Sequence, residues 1–358
     1  MPDLISPLLG LPGAVDVTVL DPTAVPGVAA HYGDPMGEQR RLADGGTLVD
    51  LSTRGVITVT GPDRLTWLHS LTSQHLSGLG AGVSVETLIL SPKGHLEHAL
   101  HVVDDGSTAW ITVEPGTAPD VAGWLDSMRF MLRVEVIDVT DRYAVLATMG
   151  GSPDLQAHDV SEVVRWVDPW PAVEDGRLVA DTAAYGPVED HPGASWSLTE
   201  IIVERCALVA LASRADLSWA GVSALDALRV AAWRPRLGAE TDHRTIAHEV
   251  DWLRTAVHLH KGCYRGQETI ARVHNLGRPP RRLVFLHLDG SGHTLPAREA
   301  PVRLGEKVIG RITSVAQHYE DGPIALAVIK RNVDPAADLL VGAEDEPVSA
   351  AQTVIVAP

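Results

Sequence analysis

Two alternating runs joined by a tight turn limit the folds open to this chain more than any other segment. Val83, Val85, Thr87 and Ile89 share one face of a strand, and Leu96, His98, Leu100 and Val102 share one face of the next. Ser91-Pro-Lys-Gly94 joins them as a turn. Further strands are expected at Gly55–Thr60, Thr108–Val113 and Tyr143–Thr148, with Leu132, Val134 and Val136 alternating between them. Single helices interrupt the strands. Gly61-Pro62-Asp63 opens one, with Pro62 at the first helical position and Leu65, Trp67, Leu68 and Leu71 on its apolar face. Val121, Trp124, Leu125 and Met128 recur at helical spacing in a second. Hairpins punctuated by lone amphipathic helices indicate an α+β fold with antiparallel sheets, not a doubly wound one. No glycine-rich phosphate loop follows any of these strands.

The remaining chain is less regular. Residues 1–45 are rich in Pro, Gly and Ala and read as an extended N-terminal arm. Residues 150–195 read as a loop-heavy crossing, and 198–211 as apolar β-like text. Ala224–Trp233 is a helix ended by Pro235. After Arg278-Pro-Pro280, about five short strands at Leu283–Leu288, Ala300–Leu304, Val308–Val315, Ile324–Val328 and Val354–Val356 suggest a small β-barrel. Glu344-Asp345-Glu346 reads as a solvated turn. The expected organisation is the arm at 1–45, an α+β region of two lobes at 46–277, and a barrel domain at 281–358.

One octapeptide carries the chemistry. Lys261-Gly-Cys-Tyr-Arg-Gly-Gln-Glu268 sets one of the chain's two cysteines between two cations and brackets it with Gly262 and Gly266. Nearby positive charge favours the thiolate, the form that attacks electrophiles. The chain has four lysines against 25 arginines, so a lysine here is notable. Lysine can change protonation state where arginine cannot. The plainer reading of Cys263 is a structural cysteine in a turn. Cys206 and Cys263 are too few for a disulfide framework or a single-chain iron–sulfur cluster, which points to a reducing compartment.

Net charge of −17 disfavours nucleic acid as a partner. The N-terminus lacks a basic leader, and no apolar run suffices to cross a bilayer, so a cytoplasmic protein without membrane partners is expected. His258-x-His260-x-x-Cys263 has metal-ligand residue types but no evident fourth ligand, so no metal site is assigned. In His95-Leu-Glu-His98-Ala-Leu-His101, strand alternation turns His98 away from the other two. No G-x-S-x-G elbow supports a serine hydrolase, and a Cys263–His274 pair in one short loop is poor support for a thiol hydrolase.

The octapeptide, continuing through Arg272 and Gly277 to Arg281 and Arg282, resembles the hallmark of the YgfZ family, folate-binding proteins related to the T-protein, the aminomethyltransferase of glycine cleavage. Residues 48–73 resemble the opening of the folate-binding domain the two groups share. Residues 305–329, with a G-x-x-T-S turn at Gly310, Thr313 and Ser314, resemble the superfamily's C-terminal barrel. The resemblance implies three lobes, two α+β and one barrel, around a central channel that holds tetrahydrofolate or a one-carbon derivative. It also implies a role in iron–sulfur cluster assembly or repair in client proteins.

By the same resemblance, Cys263 and Lys261 are the reactive pair, and Tyr264, Arg265, Gln267, Glu268 and Arg272 belong to the cofactor site. Arg229 would pair with the cofactor's glutamate tail, or lie on a helix surface. Trp233 would stack on the pterin, or fill the core. The T-protein's acidic pair near folate is matched only by Glu97, because the next residue is His98. Its pterin-gripping motif is absent from 191–204, where Glu200 and Glu204 are the candidate carboxylates. Two rival functions stay open, a folate-dependent aminomethyltransferase or demethylase and a non-catalytic folate-binding scaffold. Whether the protein turns over a substrate is left open.

Overall fold

A computed structural model describes residues 4–151, 153–291, 295–343 and 347–358, so the Glu344–Glu346 turn lies outside the described residues. The chain forms two compact units. The first comprises Met1–Thr87, His98–Pro169 and Ser197–Leu225, and the second Leu88–Glu97, Trp170–Trp196 and Asp226–Pro358.

The alternating runs form the hairpin expected of them. Strands Ser84–Leu90 and Leu96–Asp104 pair at one edge of a five-stranded sheet that continues through Thr108–Val113, Gly55–Thr60 and Glu135–Asp138. A second five-stranded sheet runs Glu162–Val167, Thr199–Glu204, Tyr143–Thr148, Thr47–Asp50 and Ser218–Ala220. Its last pair is parallel, Trp219 opposite Leu48, a departure from purely antiparallel sheets. Leu48, Leu146, Ile201 and Val203 on one face of this sheet pack with Leu208 and Leu211 from helix Ala207–Ala212. Val145 and Ile202 on the other face pack with Val56 of the first sheet. Burying both faces explains why these strands read as continuous apolar text.

Several expectations need correction. The N-terminal segment is not simply an extended arm, because it holds helix Pro35–Asp44 and buries Leu8, Val28 and Leu42. The Asp34 side chain accepts from the Gly37 N–H and Pro35 follows it, so polar end signals specify a helix with few apolar residues. The helix after Gly61 begins at Arg64, with Asp63 as its cap and Pro62 outside it. The loop-heavy crossing contributes strand Glu162–Val167, whose alternation is masked by exposed Val167 and polar Arg165.

In the second unit, strands Arg281–Leu288, Gly322–Lys330, Lys307–His318, Pro301–Leu304, Leu339–Val341 and Val348–Val354 close a six-stranded barrel around Leu286, Ile312, Ala327 and Val341. Gly310, Thr313 and Ser314 form no turn. They lie within the strand Lys307–His318, where the register shifts between Ile312 and Ser314. A Cβ on Gly310 would stand 2.3 Å from the Val328 carbonyl oxygen and 2.7 Å from the Ile329 Cα. Both are backbone atoms of a paired strand and cannot turn aside. Gly310→Ala is therefore expected to destabilise the barrel by about 2 kcal/mol, read as a lower urea midpoint. An unchanged midpoint would contradict this packing.

Candidate functional site

The octapeptide sits in the second unit as an irregular loop, Lys261 to Gly266, that feeds helix Gln267–Leu276. Of its two glycines, Gly266 is the demanding one. Its φ of +82° is left-handed, and a Cβ there would lie 2.6 Å from the Ser91 carbonyl and 3.0 Å from the Gly94 Cα. The 91–94 turn thus packs directly on the start of the helix. The Thr269 hydroxyl adds a hydrogen bond to the Lys93 carbonyl at 2.8 Å. The Leu96 N–H donates to the Thr245 carbonyl at 2.9 Å.

This docking brings Glu97 to the octapeptide across a long stretch of sequence. The Arg265 guanidinium holds the Glu97 carboxylate through Nη1–Oε2 at 2.9 Å and Nη2–Oε1 at 3.4 Å. Lys261 is differently placed. It is 6% exposed, and its Nζ lies 4.9 Å from the centre of the Tyr264 ring. Burial lowers the Lys261 amine to about 8 and pushes the Tyr264 phenol up to about 12. Lys261 can therefore exchange a proton under mildly alkaline conditions, while Tyr264 stays a neutral phenol. Cys263 is exposed, a free thiol at the loop surface. Gln267 starts the helix, and Glu268 and Arg272 make an exposed ion pair one turn apart at 2.7 Å. Glu268 in the first turn suits the helix dipole.

Arg229 and Trp233 have other surroundings. Arg229 is buried and donates to Asp226 Oδ1 at 2.7 Å, the Arg234 carbonyl at 2.8 Å, Glu240 Oε2 at 2.9 Å and Ser314 Oγ at 2.6 Å. Most of its donors are thus spent inside the protein, tying helix Val222–Ala231 to the barrel strand that carries Ser314. Trp233 is buried against the His191 ring at 5.4 Å and the Phe285 ring at 6.1 Å, with its backbone at φ +57°. His258 and His260 both face Asp181, at 3.7 and 3.9 Å. The His274 ring meets the Tyr185 hydroxyl at 3.3 Å. On the first unit, the Cys206 thiol, exposed as well, donates to Glu204 at 3.6 Å.

Sequence reasoning offered Glu200 as a candidate carboxylate but missed the buried polar cluster it belongs to inside the first unit. Glu200, 1% exposed, accepts from Thr112 Oγ1 at 2.6 Å and faces Arg54 Nε at 3.4 Å and His101 Nδ1 at 3.1 Å. The far nitrogen of His101 lies 3.8 Å from buried Glu86, and its ring stacks on Trp166 at 3.8 Å and 4°. Arg54 also pairs with Glu114 at 3.3 Å. Burial alone would raise the Glu200 carboxyl, but Arg54, His101 and the Thr112 hydrogen bond bring it down to about 2. The signal available in the sequence was a charged residue within each of several apolar strands, at Glu86, His101 and Glu200.

Residues 35–158 match the family model described as the GCVT N-terminal domain. An aminomethyltransferase of Streptomyces avermitilis is 27% identical over 320 residues, spanning 84% of this chain and 82% of that protein. A chloroplastic protein of Arabidopsis thaliana that bears a transferase name is 25% identical over 316 residues, 84% of this chain and 69% of its own length. The chain is thus similar to aminomethyltransferases along most of its length. The crystal structure of the glycine cleavage system aminomethyltransferase T from Bartonella henselae aligns with a TM-score of 0.72 over 97% of this chain and 93% of that one. At 18% identity that likeness is one of fold, a mixed α+β chain with antiparallel sheets and a closed C-terminal barrel. Among the described residues, no helix is long and apolar enough to cross a membrane.

Proposed function

We propose that this chain is a tetrahydrofolate-binding protein of the YgfZ type that supports iron–sulfur cluster assembly or repair in client proteins of a reducing, cytoplasmic compartment. The folate-binding region would be 46–277 and the barrel domain 281–358. The observation that carries the reading is the octapeptide loop. It carries an exposed thiol, Cys263, two residues after a buried amine of lowered proton affinity, Lys261, and two residues before a guanidinium, Arg265. Superfamily relatives named as aminomethyltransferases add support.

The donor set fits a reduced folate. Its ring system is rich in N–H groups, and Glu97 is a carboxylate about one-third exposed, able to accept from them. Tyr264 and Trp233 are buried aromatic rings of the same unit. Tetrahydrofolate would supply a carrier for a one-carbon unit. In this reading Cys263 engages that unit or a cluster atom of the client, and Lys261 and Arg265 supply positive charge in the same loop. Gln267, Glu268 and Arg272 form the rim, and Arg229, engaged within the protein, fixes the helix that leads to Trp233.

A second reading, a folate-dependent aminomethyltransferase or demethylase, rests on Glu97 as the acidic group at the site. One pair of measurements separates the two. Tetrahydrofolate should bind wild type and Cys263→Ala within about two-fold of each other, while the variant fails to restore a cluster-dependent enzyme in cells lacking the wild-type gene. Full restoration by Cys263→Ala would refute the thiol's role. Aminomethyl transfer to tetrahydrofolate, lost in Glu97→Gln but kept in Cys263→Ala, would establish the second reading instead.

A further inference from the structure

We infer that helix Gln267–Leu276 is a lid over the His248 imidazole: it is seated at its start by the 91–94 turn, opens without unfolding of the barrel, and opens further when His248 takes a proton. The inference stands apart from the folate reading above. The last two residues of the octapeptide, Gln267 and Glu268, are the first two of this helix, so opening carries the candidate site with it. The helix has a narrow hold on the protein. Of its ten residues only Ile270 is buried, and Leu276 at its end is 86% exposed. A helix this short does not persist alone in water, so its order depends on what it touches. At its start the touch is tight. Gly94, at φ +77°, would place a Cβ 2.5 Å from the Thr269 Cβ and 3.1 Å from the Gly266 carbonyl oxygen. The Thr269 hydroxyl donates to the Lys93 carbonyl at 2.8 Å. In the last turn the Tyr185 hydroxyl meets His274 Nδ1 at 3.3 Å. One isoleucine and these few bonds hold less than the core of the barrel does, which is the condition for local opening.

His248 lies beneath. It belongs to the helical turn Ala247–Val250, which packs against the lid, and its ring meets the Tyr185 ring edge to face at 5.1 Å. The side chain is 0% exposed, and neither ring nitrogen completes a hydrogen bond. The Ile270 carbonyl approaches the ring but falls short of hydrogen-bond geometry. A closed lid therefore withholds water from a polar ring that the protein does not satisfy, and this favours opening. The charges nearby are engaged elsewhere. Arg281 holds Glu249 at 2.8 Å, Arg254 holds Asp251 at 2.8 Å, and Arg278 bears on the Tyr185 phenol. His274, on the lid itself, is the titratable group that acts on His248. Burial first, and His274 second, bring the imidazole from its ordinary 6.5 down to about 4. An open lid returns the ring to water and to its ordinary value. Between those two values the open state alone binds the proton, so the closed state loses ground as pH falls through this window. The opening constant should rise about ten-fold between pH 7.5 and 5.5.

The test is amide hydrogen exchange of the full chain, read by mass spectrometry at pH 7.5 and 5.5 and corrected for the intrinsic rate at each pH. The barrel strand Gly322–Lys330 serves as the reference for global opening. Amides of 267–276 should be less protected than that strand, and their protection should fall about ten-fold at the lower pH while the strand's holds. Gly94→Ala, which unseats the first turn, should strip protection from 267–276 at both pH values and spare the strand. His248→Leu should abolish the pH dependence and leave the helix at least as protected as in wild type. Should that variant fail to fold, the His248 ring protons followed by NMR in wild type decide the same point, with no titration expected near 6.5. Equal protection of helix and strand overturns the lid, since the helix would then open only with the whole fold. Unchanged protection in Gly94→Ala overturns its seat on the turn. Protection that ignores pH, a ten-fold fall that survives His248→Leu, or a His248 ring that titrates at its ordinary value overturns the part played by the buried imidazole.

Discussion

Arg254→Leu is expected to cost about 3–5 kcal/mol of folding free energy, the usual penalty for removing one partner of a fully buried ion pair. Arg254 and Asp251 are each 0% exposed, with Nε–Oδ2 at 2.8 Å. The guanidinium also donates to the Pro171 carbonyl at 3.1 Å and the Pro187 carbonyl at 3.0 Å, and stands 5.2 Å from the Trp170 ring centre. The leucine removes every one of these bonds at once and leaves the Asp251 carboxylate buried without its cation. Burial already raises the Asp251 carboxyl, with Arg254 the chief opposing influence, so in the variant that group must take up a proton or carry an uncompensated charge. Urea unfolding would read the loss as a fall in midpoint at constant slope. The double variant Arg254→Leu/Asp251→Asn should recover part of it, because the stranded charge is gone. A single-variant loss below about 1 kcal/mol would mean that the pair is dispensable, as exposed pairs are.

The consequence reaches the candidate site, because Arg254 secures the segment just before the octapeptide to the 171–187 stretch. Nothing in the local sequence announces this. Arg254 sits in Asp251-Trp-Leu-Arg-Thr-Ala, a stretch to which the sequence assigns no element, and its partners at Pro171 and Pro187 are far upstream. The hairpin at 84–104 was legible because alternation with period two is a local property, fixed by which face meets the core. The barrel was legible from short apolar runs set apart by Gly and Asp turns, apart from Leu339–Val341, too short to stand out, and the last strand, expected at Val354–Val356 but formed by Val348–Val354. The octapeptide stood out by charge and glycine spacing, but its partner Glu97 could be suggested only by family resemblance, and the ion pair with Arg265 only by the fold. Arg229 was suggested by family resemblance as a partner of the cofactor's glutamate tail, with a helix-surface position as the alternative, and neither reading could foresee its bonds to Glu240 and Ser314, distant in sequence. Charged residues are rarely fully buried, so residue type alone gives no sign that Glu86, Arg54 and Glu200 lie inside. Only the close approach of their strands shows that they satisfy one another.

That buried cluster predicts how the protein meets acid. The Glu200 carboxyl has an ordinary value of 4.5 in the unfolded chain and about 2 in the folded one. A depressed value in the folded state means that the ionised form is the one the fold favours. Its contribution is therefore complete above pH 4.5, declines as pH falls toward 2, and is absent below that, where both states are protonated. The difference between the two values corresponds to about 3 kcal/mol. Unfolding free energies measured across this range should fall more steeply for wild type than for Glu200→Gln, which carries no proton at that position. The variant should also be less stable near neutral pH, since Arg54 and His101 lose the carboxylate they face. The gap between the two proteins should then narrow as the pH is lowered, by an amount set by this one group because the other carboxylates titrate in both. Parallel curves would mean that Glu200 is already protonated in the folded state, and that Arg54 is balanced by Glu114 alone.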